Sequence, residues 1–99
     1  MVVKGTSRSP RGNELVFLSA PEGGSELELC RIPDGEDFSV PEDLVHIAFR
    51  SLDLQADLTR LEAAGVKITE PYTPTGNGAL AFIEDPDGYE VELLERRQP

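Results

Sequence analysis

The sequence has a single cysteine and a single histidine, and each shortage closes off a kind of chemistry. With Cys30 alone, the chain can form no internal disulfide and no zinc site built from several thiolates. With His46 alone, two-histidine metal motifs within one chain are excluded. A Ser-His-Asp triad would have one possible base, and no serine stands in the elbow context that such a nucleophile needs. Positive charge is also scarce: nine Lys and Arg against nineteen Asp and Glu give a formal net charge of -10, so a phosphate backbone is repelled rather than collected. Nucleic acid is therefore not an expected partner. The apolar runs are far shorter than the ~20 residues that cross a bilayer, and the start MVVKGTSRSP has no apolar core of a secretory signal. These absences lead us to expect a soluble, cytoplasmic protein with no membrane partner, and a length of 99 residues supports one domain, spanning residues 1–99.

What is present divides at an acidic, proline-containing stretch, RIPDGEDFSVPED (31–43), which has no period and reads as an exposed connection. Before it, residues 1–13 are polar and rich in Ser, Gly, Pro and Arg, with only Val2 and Val3 hinting at a strand; partial disorder is expected there. ELVFLSA (14–20), the turn PEGGS and ELELC (26–30) then read as a hairpin. After the connection, LVHIAFR (44–50) alternates as a strand. Leu54, Leu58 and Leu61 recur at helical spacing, with Asp53 placed as N-cap and Gly65 as the stop. VKITEPYT (66–73) reads as a strand interrupted at Pro71, PTGNG as a turn, ALAFIE (79–84) as a strand, DPDG as a tight turn and YEVELLE (89–95) as a final strand. The order is strand, helix, strand, strand, strand, an α+β pattern.

The two halves share a layout. ELVFLSAPEGGSELELC and ALAFIEDPDGYEVELLE each give an apolar strand, a turn with Pro and Gly, and a strand in which Glu-Leu recurs, as an internal duplication would. Side chains alternate across a strand, so parity sorts the faces. Val45, Ile47 and Phe49 oppose Leu44, His46 and Ala48; Leu27 and Leu29 oppose Glu26, Glu28 and Cys30; Tyr89, Val91 and Leu93 oppose Glu90, Glu92 and Leu94. Each strand has one apolar face suited to packing on the helix, and Glu28, His46 and Glu92 fall near the middle of the other. If that second face is partly desolvated, unpaired carboxylates on it are costly without a cation. One imidazole nitrogen and two carboxylate oxygens suit a borderline or hard divalent ion: Ni, Co, Zn, Mn or Fe. The same pattern also fits strands whose second face is simply solvated. Glu90 and Glu95 read as solvent-facing, and Cys30 shares the Glu28 face.

The stretch from LVHIAFR through FIEDPDGYEVELLERR (44–97) resembles the second module of a vicinal oxygen chelate protein, the superfamily of glyoxalase I, bleomycin resistance proteins and dioxygenases. The helix ending in EAAGV, the phrase FIEDPDGYEVELLER and the histidine near the start of LVHIAFR carry the likeness, which is nearest to the lactoylglutathione lyase branch. LVFLSAPEGGSELELC resembles the end of a first module, so residues 14–30 are read as a partial first module and 44–97 as a complete second. The resemblance implies paired strand-helix-strand-strand-strand modules forming a curved mixed sheet around a divalent metal, held here by Glu28, His46 and Glu92. The family's first-module histidine has no counterpart in this reading. The resemblance further implies a small-molecule substrate with adjacent oxygens, such as a hemithioacetal, and a lyase or isomerase reaction in which Glu92 or Glu28 moves a proton. It also leads to an expected homodimer, with strand exchange between the chains as one form of it. The alternative is a non-catalytic small-molecule-binding or interaction protein that has lost part of the metal site.

Overall fold

The computed structural model describes residues 1–32 and 45–97, which belong to two compact units. The expected connection at 31–43 lies outside the described residues from position 33 onward, as does Leu44.

The first unit holds a three-stranded antiparallel sheet of order β1-β2-β3, made of β1 (Val2–Arg8), β2 (Glu14–Ala20) and β3 (Gly23–Arg31). The expectation of disorder in residues 1–13 is thereby corrected: Val2–Arg8 pairs with β2 from Val2↔Ser19 to Arg8↔Glu14. A strand lying at a sheet edge buries few side chains, so it need not show apolar alternation; ladder hydrogen bonds to its neighbour hold it. The link back to β2 is tightened by Ser9, whose hydroxyl accepts from the Asn13 amide at 3.1 Å, and by the Gly12 amide donating to the Ser9 carbonyl at 2.9 Å. The hairpin expected from ELVFLSA and ELELC is present. Its turn contracts to Pro21 and Glu22, because Gly23 already belongs to β3.

The second unit runs β4 (Ile47–Arg50), α1 (Leu54–Ala63), β5 (Ile68–Thr75), β6 (Gly78–Glu84) and β7 (Glu90–Arg96). Its four strands lie in the order β4-β7-β6-β5, with β4 parallel to β7 and the other pairs antiparallel. The expected strand, helix, strand, strand, strand order holds. Asp53, in extended conformation, caps the helix by accepting from the Ala56 amide at 3.1 Å, and Gly65 (φ +86°) lets the chain turn away after it. Leu54 and Leu58 enter a core with Ala79, Ala81 and Leu93, to which Phe49, Leu61, Ile68, Tyr72, Ile83 and Val91 add partly buried surface. The two alanines on β6 leave room for the leucines of the helix to approach the sheet.

Three expectations for this unit are corrected. The first strand begins at Ile47, so His46 stands just ahead of it, and Val45 (69 % exposed) and Ile47 (47 %) are not covered by the helix, which packs on β5, β6 and β7. Pro71 does not interrupt its strand. The edge position of β5 tolerates Pro71 and Pro74, and the pairing with β6 absorbs them through register shifts between Ile68 and Glu70 and between Glu70 and Thr73. Glu95 is half-buried and accepts from the Leu54 amide at 3.0 Å, so it serves the helix N-terminus rather than standing free in solvent; Glu90 is likewise half-buried. Among the described residues, no helix is long and apolar enough to cross a membrane.

Candidate functional site

Register in the last hairpin starts with its turn. The Asp85 carboxylate accepts from the amides of Asp87 (2.9 Å) and Tyr89 (2.8 Å), and the Asp85 amide donates to the Tyr89 carbonyl at 2.8 Å. An Asp at this place mimics a backbone turn, and so EDPDGY closes at one fixed register. At the other end of the hairpin Gly78 pairs with Arg96, and a Cβ there would meet the Glu95 carbonyl oxygen at 1.8 Å, so only glycine fits. With both ends fixed, Glu92 pairs with Phe82 on β6 and with Ala48 on β4.

Strand parity then decides what meets what. Ala48 and Glu92 are register partners, which puts Glu92 on the same face as His46, two residues before Ala48. His46 Nε2 lies 2.9 Å from Glu92 Oε1, and the imidazole stands edge-on to the Phe82 ring, with centroids 5.3 Å apart and planes at 80°. The Glu92 side chain is 14 % exposed and that of His46 40 %. A carboxylate is thus largely withdrawn from water beside an imidazole that is still reachable from solution. The helix and its core lie against the opposite face, through Leu93.

Two of the three residues selected from the sequence, His46 and Glu92, are therefore brought together. Glu28 lies on β3 in the first unit, exposed, and pairs with Phe17 of β2. That pairing repeats the one in the second unit: Phe17↔Glu28 in one hairpin, Phe82↔Glu92 in the other. Cys30 is an exposed free thiol that pairs with Leu15. Phe82 is not singled out by sequence reading, although its place in the phrase FIEDPDGYEVE fixes its pairing with Glu92 once the turn is known.

His46 Nε2 and Glu92 Oε1, 2.9 Å apart, are joined by a direct hydrogen bond. An imidazole with a carboxylate also suits a borderline metal in kind. Within either unit, no three His, Cys, Asp or Glu side chains among the described residues group closely enough to hold an ion. Elsewhere in the unit, the Ser51 hydroxyl (2.5 Å), and after it the Arg60 guanidinium (3.2 Å), hold the Asp57 carboxyl below its ordinary range.

The second unit thus brings an imidazole and a carboxylate together beside the parallel pair β4–β7, and comparison with known proteins says to which family the chain belongs. Residues 2–93 match the family model of the Glyoxalase/Bleomycin resistance protein/Dioxygenase superfamily, and the chain belongs to it. It is 32 % identical over 97 residues to a lactoylglutathione lyase of Haemophilus influenzae, covering 93 % of this chain and 72 % of that protein. It is 42 % identical over 84 residues to a lactoylglutathione lyase of Pseudomonas aeruginosa, covering 85 % of this chain but 46 % of that one. Among solved structures, the trypanothione-dependent glyoxalase I of Leishmania major superposes with a TM-score of 0.76 at 30 % identity, over 94 % of this chain and 67 % of that chain. The chain thus spans between about half and three-quarters of the lengths of these relatives.

Proposed function

We propose that this chain is a glyoxalase-like metalloprotein that isomerises a hemithioacetal or a similar small molecule with two adjacent oxygens. The observation that carries the reading is the His46–Glu92 pair, 2.9 Å apart on the face of the β4–β7 sheet away from the helix. His46 and Glu92 would hold the ion, with Glu28 as a third ligand, as the matching Phe17↔Glu28 and Phe82↔Glu92 registers support. Bound there, a divalent metal would supply positive charge that stabilises developing negative charge on the substrate. The remaining chemistry belongs to the chain. A carboxylate, Glu92 or Glu28, removes the proton from the carbon bearing hydroxyl and sulfur and returns it to the neighbouring carbonyl carbon, while the hydroxyl proton crosses to the former carbonyl oxygen. The net change is an isomerisation that needs no co-reactant. Phe82 stands edge-on to the imidazole and helps to orient it.

The same reading takes the working form to be a cytoplasmic homodimer. Ile47 on the edge strand β4 and Val45 just ahead of it are exposed apolar side chains, and such edges are normally hidden by pairing.

A second reading is favoured by one observation: within the second unit only two donors converge. On that reading the chain binds a small molecule or a partner and performs no reaction. One experiment separates the two. The full chain is loaded with Ni(II), Co(II), Mn(II) or Zn(II), metal per chain is counted, and turnover of the methylglyoxal–glutathione hemithioacetal is followed. Stoichiometric metal with turnover supports the isomerase. Absence of any stoichiometric binding that His46→Ala and Glu92→Ala weaken sinks the metal site, and a stable metal-free dimer supports the binder.

A further inference from the structure

Beyond the His46–Glu92 pair, the second unit has an open cleft of about 840 Å³ at the C-terminal ends of the parallel strands β4 and β7. Its size falls in the ~300–1,000 Å³ range of small-molecule sites. Arg50, Arg96 and Arg97 all line it, together with Asn77 and the apolar walls of Ala48 and Leu94. One-third of the chain's nine basic residues therefore meet at one hollow of a protein whose formal charge is -10. Cations elsewhere are mostly paired: Arg8 and Arg31 with Glu14, Arg60 with Asp57, Lys67 with Glu84. Among the described residues, none of the three cleft arginines has a carboxylate partner.

This arrangement is not an accident of the local backbone. Arg50 and Leu94 are register partners, and Arg96 follows Leu94 by two residues, so parity puts Arg50 and Arg96 on one face. The Arg97 amide donates to the Asn77 carbonyl at 2.8 Å, which ties the chain after β7 to the β5–β6 turn. The Thr75 hydroxyl donates to Asn77 Oδ1 at 3.3 Å, so the amide hydrogens of that side chain are left for another acceptor. Three like charges around one concavity repel one another, and the repulsion is relieved when an anion sits among them. Guanidinium forks match the planar or tetrahedral oxygens of carboxylate and phosphate two at a time.

We propose that Arg50, Arg96 and Arg97 form a binding site for a small oxyanion carrying two or more negative charges, with Asn77 as a neutral donor. The site does not depend on a metal. Arg96 is four residues along β7 from Glu92, roughly 13 Å in extended chain, and neither Glu92 nor His46 lines the cleft.

The test is calorimetric titration of the full chain at low ionic strength with two probes, inorganic pyrophosphate and citrate. Saturable binding of at least one is expected, and the tighter of the two tells whether the cleft selects phosphate or carboxylate oxygens. Arg50→Gln and Arg96→Gln should each weaken it about tenfold, the size of one charge-assisted hydrogen bond, and Arg97→Gln should weaken it in the same direction. Arg11→Gln, at an exposed arginine of the first unit, should leave it unchanged. All four side chains are exposed, so the variants should keep the wild-type melting temperature. The proposal is overturned if neither probe saturates, or if Arg11→Gln weakens binding as much as Arg50→Gln, since diffuse attraction would then explain it.

Discussion

His46 Nε2 and Glu92 Oε1 stand 2.9 Å apart, although 46 residues separate them in sequence. The relationship is produced by a parallel strand pair, Ala48 beside Glu92, and by a turn whose Asp85 fixes the register of the preceding hairpin. A slip of one residue in either pairing would turn Glu92 into the core and separate the two groups.

If this pair binds metal, loss of either member should cost more affinity than the roughly 10–100-fold typical of losing an outer-shell support. Competition titration with a chelator of known affinity, using Ni(II) or Zn(II), measures it for His46→Ala and Glu92→Gln. The glutamine variant keeps the size of the side chain and removes its charge, so an unchanged affinity would mean that Glu92 is not a ligand.

The sequence makes part of this visible and hides part. Leu54, Leu58 and Leu61 with Asp53 and Gly65 give the helix directly, because period and caps are local properties. Parity within the strands carries His46 and Glu92 to one face for the same reason. The strand Val2–Arg8 is hidden, because a polar edge strand depends on a partner's backbone rather than on its own side chains. Glu95 is misread as solvent-facing because its role depends on the Leu54 amide, 41 residues away. The arginine cleft is hidden likewise, since Arg50 and Arg96 become neighbours only through the β4–β7 pairing.

Asp57 makes stability depend on pH. The Ser51 hydroxyl first, then Arg60, hold its carboxyl below the ordinary 3.8, while its partial burial opposes them. A folded-state value below the unfolded one gives a contribution that is complete above the unfolded value and is lost as pH falls through the folded one. Asp57→Asn should therefore lower stability at pH 7 and flatten its decline below about pH 4. Ser51→Ala should have the same sign and cost about 1 kcal/mol or less, because the carboxylate is partly in water. Urea unfolding at a series of pH values reads both, and an unaltered acid slope in Asp57→Asn would refute the assignment.

Packing on the helix should show in two leucines of opposite exposure. Leu54 is fully buried, so Leu54→Ala should lose about 2–5 kcal/mol in denaturant unfolding. Leu52, 90 % exposed, should change stability by less than about 0.5 kcal/mol when replaced by Ala. Equal losses at the two positions would mean that Leu52 is covered in solution.

Gly78 and Gly65 separate two reasons for glycine. At Gly65 a side chain meets open space and pays only for positive φ, so Gly65→Ala should cost roughly 1–2 kcal/mol. At Gly78 the added Cβ would lie 1.8 Å from the Glu95 carbonyl oxygen, backbone that cannot move aside without breaking the β6–β7 ladder. Gly78→Ala should therefore exceed Gly65→Ala in cost, and amide exchange in Arg96 should accelerate with it.

Glu28 offers the sharpest test of whether the two hairpins share one task. It is exposed on β3 and has no ion-pair partner among the described residues, so Glu28→Gln should leave the melting temperature of the metal-free chain within a degree or two. If Glu28 is a ligand in the assembled protein, the same substitution lowers metal affinity as Glu92→Gln does, and the two changes together are not additive, because both act on one ion. If metal affinity is untouched, the ion belongs to His46 and Glu92 alone. The repeated Phe-Glu register of the first hairpin would then be a feature of the duplicated fold rather than of the site.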